Sequence, residues 1–185
     1  NAGSGESYLD RFLTTFREAM RYDIGGTPGP ESVPLLQLQR SFHPRLYQAR
    51  FMDTIGLETS HPRIEARWLH DTAAGARAAI ITITNRDYLA GQTVSFDGRQ
   101  LGGVRAGFYV TLSGEAGSLD LMRTGQTVSF TVPQELASMA YLVSDVGAGE
   151  AVWPVLRLVA AGQPHLALTL FNLTDREQSG RCVLE

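Results

Sequence analysis

Two stretches of the chain are apolar almost without interruption, and both stop on an asparagine. One runs Ala78-Ala79-Ile80-Ile81-Thr82-Ile83-Thr84-Asn85, the other Leu166-Ala167-Leu168-Thr169-Leu170-Phe171-Asn172. Each follows a glycine turn, at Gly75 and Gly162, and before that a strand-like run containing a tryptophan, Trp68 and Trp153. Runs rich in β-branched and large apolar side chains and bounded by turn residues predict buried strands of a sandwich core. Ile64, Ala66 and Trp68 alternate with Glu65 and Arg67, as in a strand with one wet face. The hexapeptide Gly91-Gln92-Thr93-Val94-Ser95-Phe96 recurs letter for letter at Gly125 to Phe130. In both copies Val and Phe share one face and Thr and Ser the other, which predicts two more strands, each led in by a glycine. Asp97-Gly98 is a tight-turn signal. Further strands are expected at 107–112, 118–122, 139–143, 154–159 and 181–184.

Helical spacing is confined to the beginning of the chain. Ser7 can cap a helix with Asp10 in the capping-box position. Tyr8, Leu9, Phe12, Leu13, Phe16 and Met20 then fall on one face, with Arg11, Thr15, Arg17 and Glu18 on the other. Gly25-Gly26 ends it, and Thr27-Pro28-Gly29-Pro30 is a loop. Glu31 to Phe42 is a second, shorter helical segment stopped by Pro44, and Leu46 to Asp53 reads as extended. The pattern therefore predicts a mainly β protein, an antiparallel, immunoglobulin-like β-sandwich preceded by one or two N-terminal helices. About nine or ten strands are expected, with connections too short for crossover helices. The expected division is a helical segment over 1–44 and a sandwich over 45–185, the part from near 150 being either the remaining edge of the same sandwich or the beginning of a second unit.

Composition sharpens this only a little. The chain has 185 residues, of which 43% are hydrophobic and 19% charged, with 19 glycines, enough for a sizeable core with many turns. A net charge of -3 without a basic run disfavours nucleic acid as a partner. There is no apolar stretch of membrane-spanning length, so no membrane role is expected. The single cysteine, Cys182, has no internal disulfide partner and leaves the compartment open. The opening Asn1-Ala2-Gly3-Ser4-Gly5 reads as a cut site or cloning remnant, so a fragment of a longer protein is expected.

Candidate chemistry is sparse. Trp68, Trp153 and Tyr109 are the candidates for stacking on a sugar ring, although aromatic residues in apolar strands, Tyr141 among them, more often fill cores. His43, His61, His70 and His165 lack the short paired spacings of a zinc site, and no metal or cofactor is expected. No Gly-x-Ser-x-Gly elbow precedes a helix. Asn172-Leu173-Thr174 matches an N-glycosylation acceptor, but Asn85 and Asn172 are better read as turn residues bonding nearby backbone. Arg50, Asp53 and Arg67 are expected to form a polar cluster where the helices meet the sandwich.

The segment Leu46 to Leu57, after a helix and before Ile64 to Trp68, resembles the junction in bacterial glycoside-hydrolase-like proteins in which a (β/α)8 catalytic barrel is followed by a C-terminal β-sandwich. The strand Ala78 to Asn85, followed by Gly91 to Phe96, is similar to the start of that sandwich. The likeness covers residues 35 to 145 and ends before Val152. It implies a non-catalytic accessory domain whose partner is the catalytic domain of the parent chain, with the catalytic carboxylates outside this chain. Hydrolysis needs two carboxyl groups about 5 to 9.5 Å apart, and nothing in the spacing of Asp53, Glu58, Glu65 and Asp71 singles out a pair. The face made by Leu9, Phe12, Phe16 and Met20 is expected to dock on that barrel. The alternatives are a carbohydrate-binding module, with polysaccharide as partner, and an immunoglobulin-like adhesion or assembly module.

Overall fold

The computed structural model describes residues 8–18, 32–43, 45–71, 77–145, 152–159 and 165–172. Three helices come first: α1 (Tyr8–Arg17), α2 (Ser32–Arg40) and the single turn α3 (Arg45–Gln48). Strands β1 (Arg50–Asp53), β3 (Ile64–Asp71), β4 (Arg77–Asn85), β10 (Ala137–Asp145), β6 (Ala106–Thr111) and β7 (Ala116–Ser118) lie side by side in that order in a six-stranded sheet. A four-stranded sheet has the order β2 (Leu57–Thr59), β5 (Thr93–Asp97), β9 (Thr127–Thr131), β8 (Met122–Thr124). All pairings are antiparallel. The last two described strands, β11 (Val152–Val159) and β12 (His165–Asn172), pair with each other. The mainly β, antiparallel sandwich read from the sequence is the fold observed.

The unbroken apolar run of β4 has a direct cause. Ala78 and Ile80 belong to a core shared with the helices, while Ala79, Ile81 and Ile83 belong to a second core against the four-stranded sheet. A strand covered on both faces has no wet side and loses the alternation that marks β5 and β9. The six-stranded sheet is thus the middle of three layers, with the helices on one face and the small sheet on the other. Val94 and Val128 lie buried between the two sheets as the pattern predicts. Ile80 is equally buried but faces the helices, and Leu168 is only half-buried.

Helix α1 corrects an expectation. Phe12 and Phe16, two members of the face expected to dock on a separate barrel, are already buried on this chain's own sheet, with Leu13 beside them. Burying each of these side chains stabilises by about 1.5–3 kcal/mol. Polar contacts fix the register: Asp10 pairs with Arg86, Arg17 with Glu65, and the Thr82 hydroxyl donates to the Arg17 carbonyl at 2.6 Å. Met20 lies outside the described residues.

Three local readings also change. Leu46 to Asp53 is not extended throughout, because α3 forms first and buries Leu46 before the chain becomes β1. The strand expected at 118–122 is two strand ends in different sheets, with Leu119, Asp120 and Leu121 carrying the chain across. Asp97-Gly98 opens a 3-10 turn, Gly98–Leu101, capped by Asp97, whose carboxylate accepts from the Arg99 amide at 3.0 Å. Gly98 is required there by close approach, since a Cβ would lie 2.7 Å from the Gln126 carbonyl oxygen. The run 181–184 lies outside the described residues.

Candidate functional site

Trp68 corrects the stacking expectation. Its ring is 0% exposed, packs edge-on to Phe96 with centroids 5.0 Å apart, and donates its indole N–H to the Ile55 carbonyl at 2.7 Å. A ring with both faces covered offers nothing to a sugar. Alternation in the sequence showed which side of β3 carries Trp68, but not that a second sheet lies over that side. Tyr141 is likewise fully buried. Trp153 stands opposite Phe171 in the β11–β12 register, and its side chain is outside what is described.

Tyr109 is half-buried and sits directly opposite Gly117 of the edge strand β7. Its ring fills the space a side chain would take, so that a Cβ on Gly117 would come within 2.9 Å of it. An aromatic residue covering a cross-strand glycine stabilises a sheet edge. The phenol donates to Glu115 at 3.3 Å. Burial, with the Glu115 charge adding to it, raises the phenol's pKa above its ordinary value.

The carboxylates considered for hydrolysis are mostly committed elsewhere. Asp53 takes the Arg67 guanidinium at 2.6 Å, and Glu65 pairs with Arg17. Asp71, almost wholly buried, accepts from Arg45 at 2.8 Å and from the Tyr141 hydroxyl at 3.1 Å, while Arg45 also donates to that hydroxyl at 2.8 Å. Glu58 is exposed on the edge strand β2. The Asp53–Arg67 half of the expected polar cluster forms, at the outer end of β1 where Asp53 adopts a positive φ of 58°.

His43 is exposed and edge-on to Tyr47, whereas His61 and His70 are half-buried. Among the described residues no three His, Cys, Asp or Glu side chains come together as a metal site would require. The side chain of His165 and all of Cys182 are outside what is described. Asn85 performs the turn role read from the sequence: its amide donates to the Leu89 carbonyl at 3.0 Å and its carbonyl accepts from the Leu89 amide at 2.8 Å.

Sequence reasoning missed the most site-like feature, a cavity of about 250 Å³ between the start of β6, the β7–β8 crossing and the end of β12. Arg105, Ser118, Asp120 and Arg123 line it together with Phe108 and Phe171, whose rings stack with centroids 4.3 Å apart. Four hydrogen bonds shape it. The Leu119 amide donates to the Gly107 carbonyl at 2.9 Å, which holds the crossing against β6. The Arg105 amide is tied to the Val143 carbonyl at 2.7 Å. Arg123 reaches from the small sheet to the large one and donates to the carbonyls of Arg105 at 2.8 Å and Val104 at 3.3 Å. No spacing rule finds this group, because its members come from the edges of three sheets.

No protein-family model and no curated protein matches the chain. Solved structures that are similar in part include two enzymes. One is alpha-L-fucosidase isoenzyme 2 from Paenibacillus thiaminolyticus, 16% identical with a TM-score of 0.39, over 63% of this chain and 18% of that one. The other is the catalytic domain of GH30 xylanase C from Talaromyces cellulolyticus, 12% identical with a TM-score of 0.32, over 46% of this chain and 19% of that one. Both neighbours are glycoside hydrolases, and the match spans less than a fifth of either length. A likeness this partial carries no argument about what this chain does.

Proposed function

We propose that this chain is a non-catalytic β-sandwich module of a larger carbohydrate-active protein, working beside a catalytic domain. The carbohydrate context is supported by the resemblance at Leu46 to Leu57 and Ala78 to Asn85. The non-catalytic role is supported by the arginine pairing of Asp53, Glu65 and Asp71, and that pairing is the observation that carries it. Glycoside hydrolysis needs two carboxyl groups turned to one sugar cleft, whereas these carboxylates are turned to arginines of this chain. Contact with the partner domain falls to surfaces other than the buried face of α1.

The test is an assay of reducing-end release from a panel of polysaccharides and aryl glycosides, with the wild-type protein beside Glu65→Gln and Asp53→Asn. No release above blank is expected from any of the three. Hydrolysis by the wild type that disappears in either variant overturns the reading. A second reading, a carbohydrate-binding module, is favoured by the cavity beside Arg105 and Arg123, since the aromatic platform at Trp68 is closed.

A further inference from the structure

The geometry points to a ligand site for one carboxylated sugar unit, a hexuronate residue, in the cavity between β6, the β7–β8 crossing and β12. The sugar part rests on the carbohydrate-binding reading, and the carboxylate part rests on the lining alone. The lining carries the guanidinium groups of Arg105 and Arg123 and the carboxylate of Asp120. An arginine on a short edge strand ordinarily waves in water. Arg123 instead has one guanidinium nitrogen fixed by the carbonyls of Val104 and Arg105, which removes much of the rotamer freedom that binding would otherwise have to take away. Its Nε and Nη1 have no partner among the described residues, so donors remain for a carboxylate.

The remaining lining suits the rest of a uronate. The Asp120 carboxylate accepts from ring hydroxyls, the Ser118 hydroxyl both donates and accepts, and Phe108 and Phe171 give the cavity its apolar part. Asp120 also sets the selectivity, because it repels a second negative charge and makes a bare polyanion a poor ligand. The volume of about 250 Å³ lies below the usual span of drug-sized pockets, roughly 300 to 1,000 Å³, and is the scale of a single pyranose ring.

The test is titration of the protein with methyl glucuronide, methyl glucoside and acetate, followed by amide chemical shifts. Methyl glucuronide is expected to move the signals of residues 118–123 saturably and to bind at least about tenfold more tightly than the other two, the margin of one charge-assisted hydrogen bond. Arg123→Ala should lose about tenfold or more, and Arg123→Lys, which keeps the charge but not the fork, should fall between. Both are checked for an unchanged far-ultraviolet spectrum because Arg123 also links the sheets. Asp120→Asn leaves that link intact and should narrow the preference for glucuronide over acetate. Equal binding of methyl glucoside overturns carboxylate recognition but leaves the carbohydrate reading standing. Equal binding of acetate overturns recognition of the sugar, and no saturable shift with any ligand overturns the site.

Discussion

Val94 stands directly opposite Phe130 on the β5–β9 ladder, and Phe96 opposite Val128, so the two copies of Gly-Gln-Thr-Val-Ser-Phe are partners in one antiparallel pair. Ser95 faces Ser129 at the pivot, and each rung on the inner face sets a ring against a β-branched side chain. All four apolar members are buried between the sheets. Phe96→Ala and Phe130→Ala are each expected to cost about 3–5 kcal/mol, as large-to-small changes in a packed core do. Thr127→Ala, on the exposed face, should stay within about 0.5 kcal/mol. Urea midpoints measure all three, and an unmoved midpoint in Phe130→Ala would contradict the facing-sheet core.

The Arg45–Asp71–Tyr141 triangle fastens α3 to the middle sheet from below. Breaking a largely buried ion pair by removing one of its charges is strongly destabilising, so Asp71→Asn is expected to destabilise by about 3–5 kcal/mol. Tyr141→Phe leaves the ion pair in place and should cost only about 1 kcal/mol. Arg45→Met combined with Asp71→Asn should cost clearly less than the two singles added, because both singles remove the same interaction. Denaturant unfolding of the four variants decides it, and full additivity would mean that the pair is not coupled.

How far the sequence could be read follows from what period-two patterning encodes. It tells which side chains of a strand share a face, and so β3, β5 and β9 could be placed with their inward residues correct. It does not tell what covers each face. Ile80 and Ile81 are indistinguishable in the sequence, yet one meets helices and the other meets a sheet. The same gap made the apolar face of α1 look like a docking surface, when Leu69, Ile80 and Met139, far along the chain, share one core with it. Helix α3 was missed because its four residues are held by Leu46 burial and the Asp71 contact rather than by local propensity. The cavity was invisible for a related reason: Arg105, Asp120 and Arg123 acquire a common surroundings only once β7 and β8 have parted into different sheets.

Burial of Trp68 makes a spectroscopic prediction. In a Trp153→Phe variant the remaining fluorescence belongs to Trp68 alone, since the chain has two tryptophans. That emission should be blue-shifted and nearly insensitive to acrylamide, and no polysaccharide should change it. Strong quenching in the folded protein would place the indole at the surface and reopen it as a stacking platform.

Tyr109 should give the sheet edge a dependence on alkaline pH. Because burial, then the Glu115 charge, favour the neutral phenol, its pKa in the folded protein lies above the ordinary 10.0. A group whose folded pKa is raised contributes stability that is fully present below the unfolded value and is lost as pH rises through the folded one. Stability should therefore fall with pH from about 10 upward, and Tyr109→Phe should flatten that fall because phenylalanine fills the space over Gly117 without a proton to lose. Glu115→Gln should move the phenol only part of the way back, since burial remains. The measurement is the difference in tyrosinate absorbance between wild type and Tyr109→Phe through the alkaline range. A difference titrating at or below pH 10 would show the phenol to be solvated, and with it that the ring does not cover the glycine of β7.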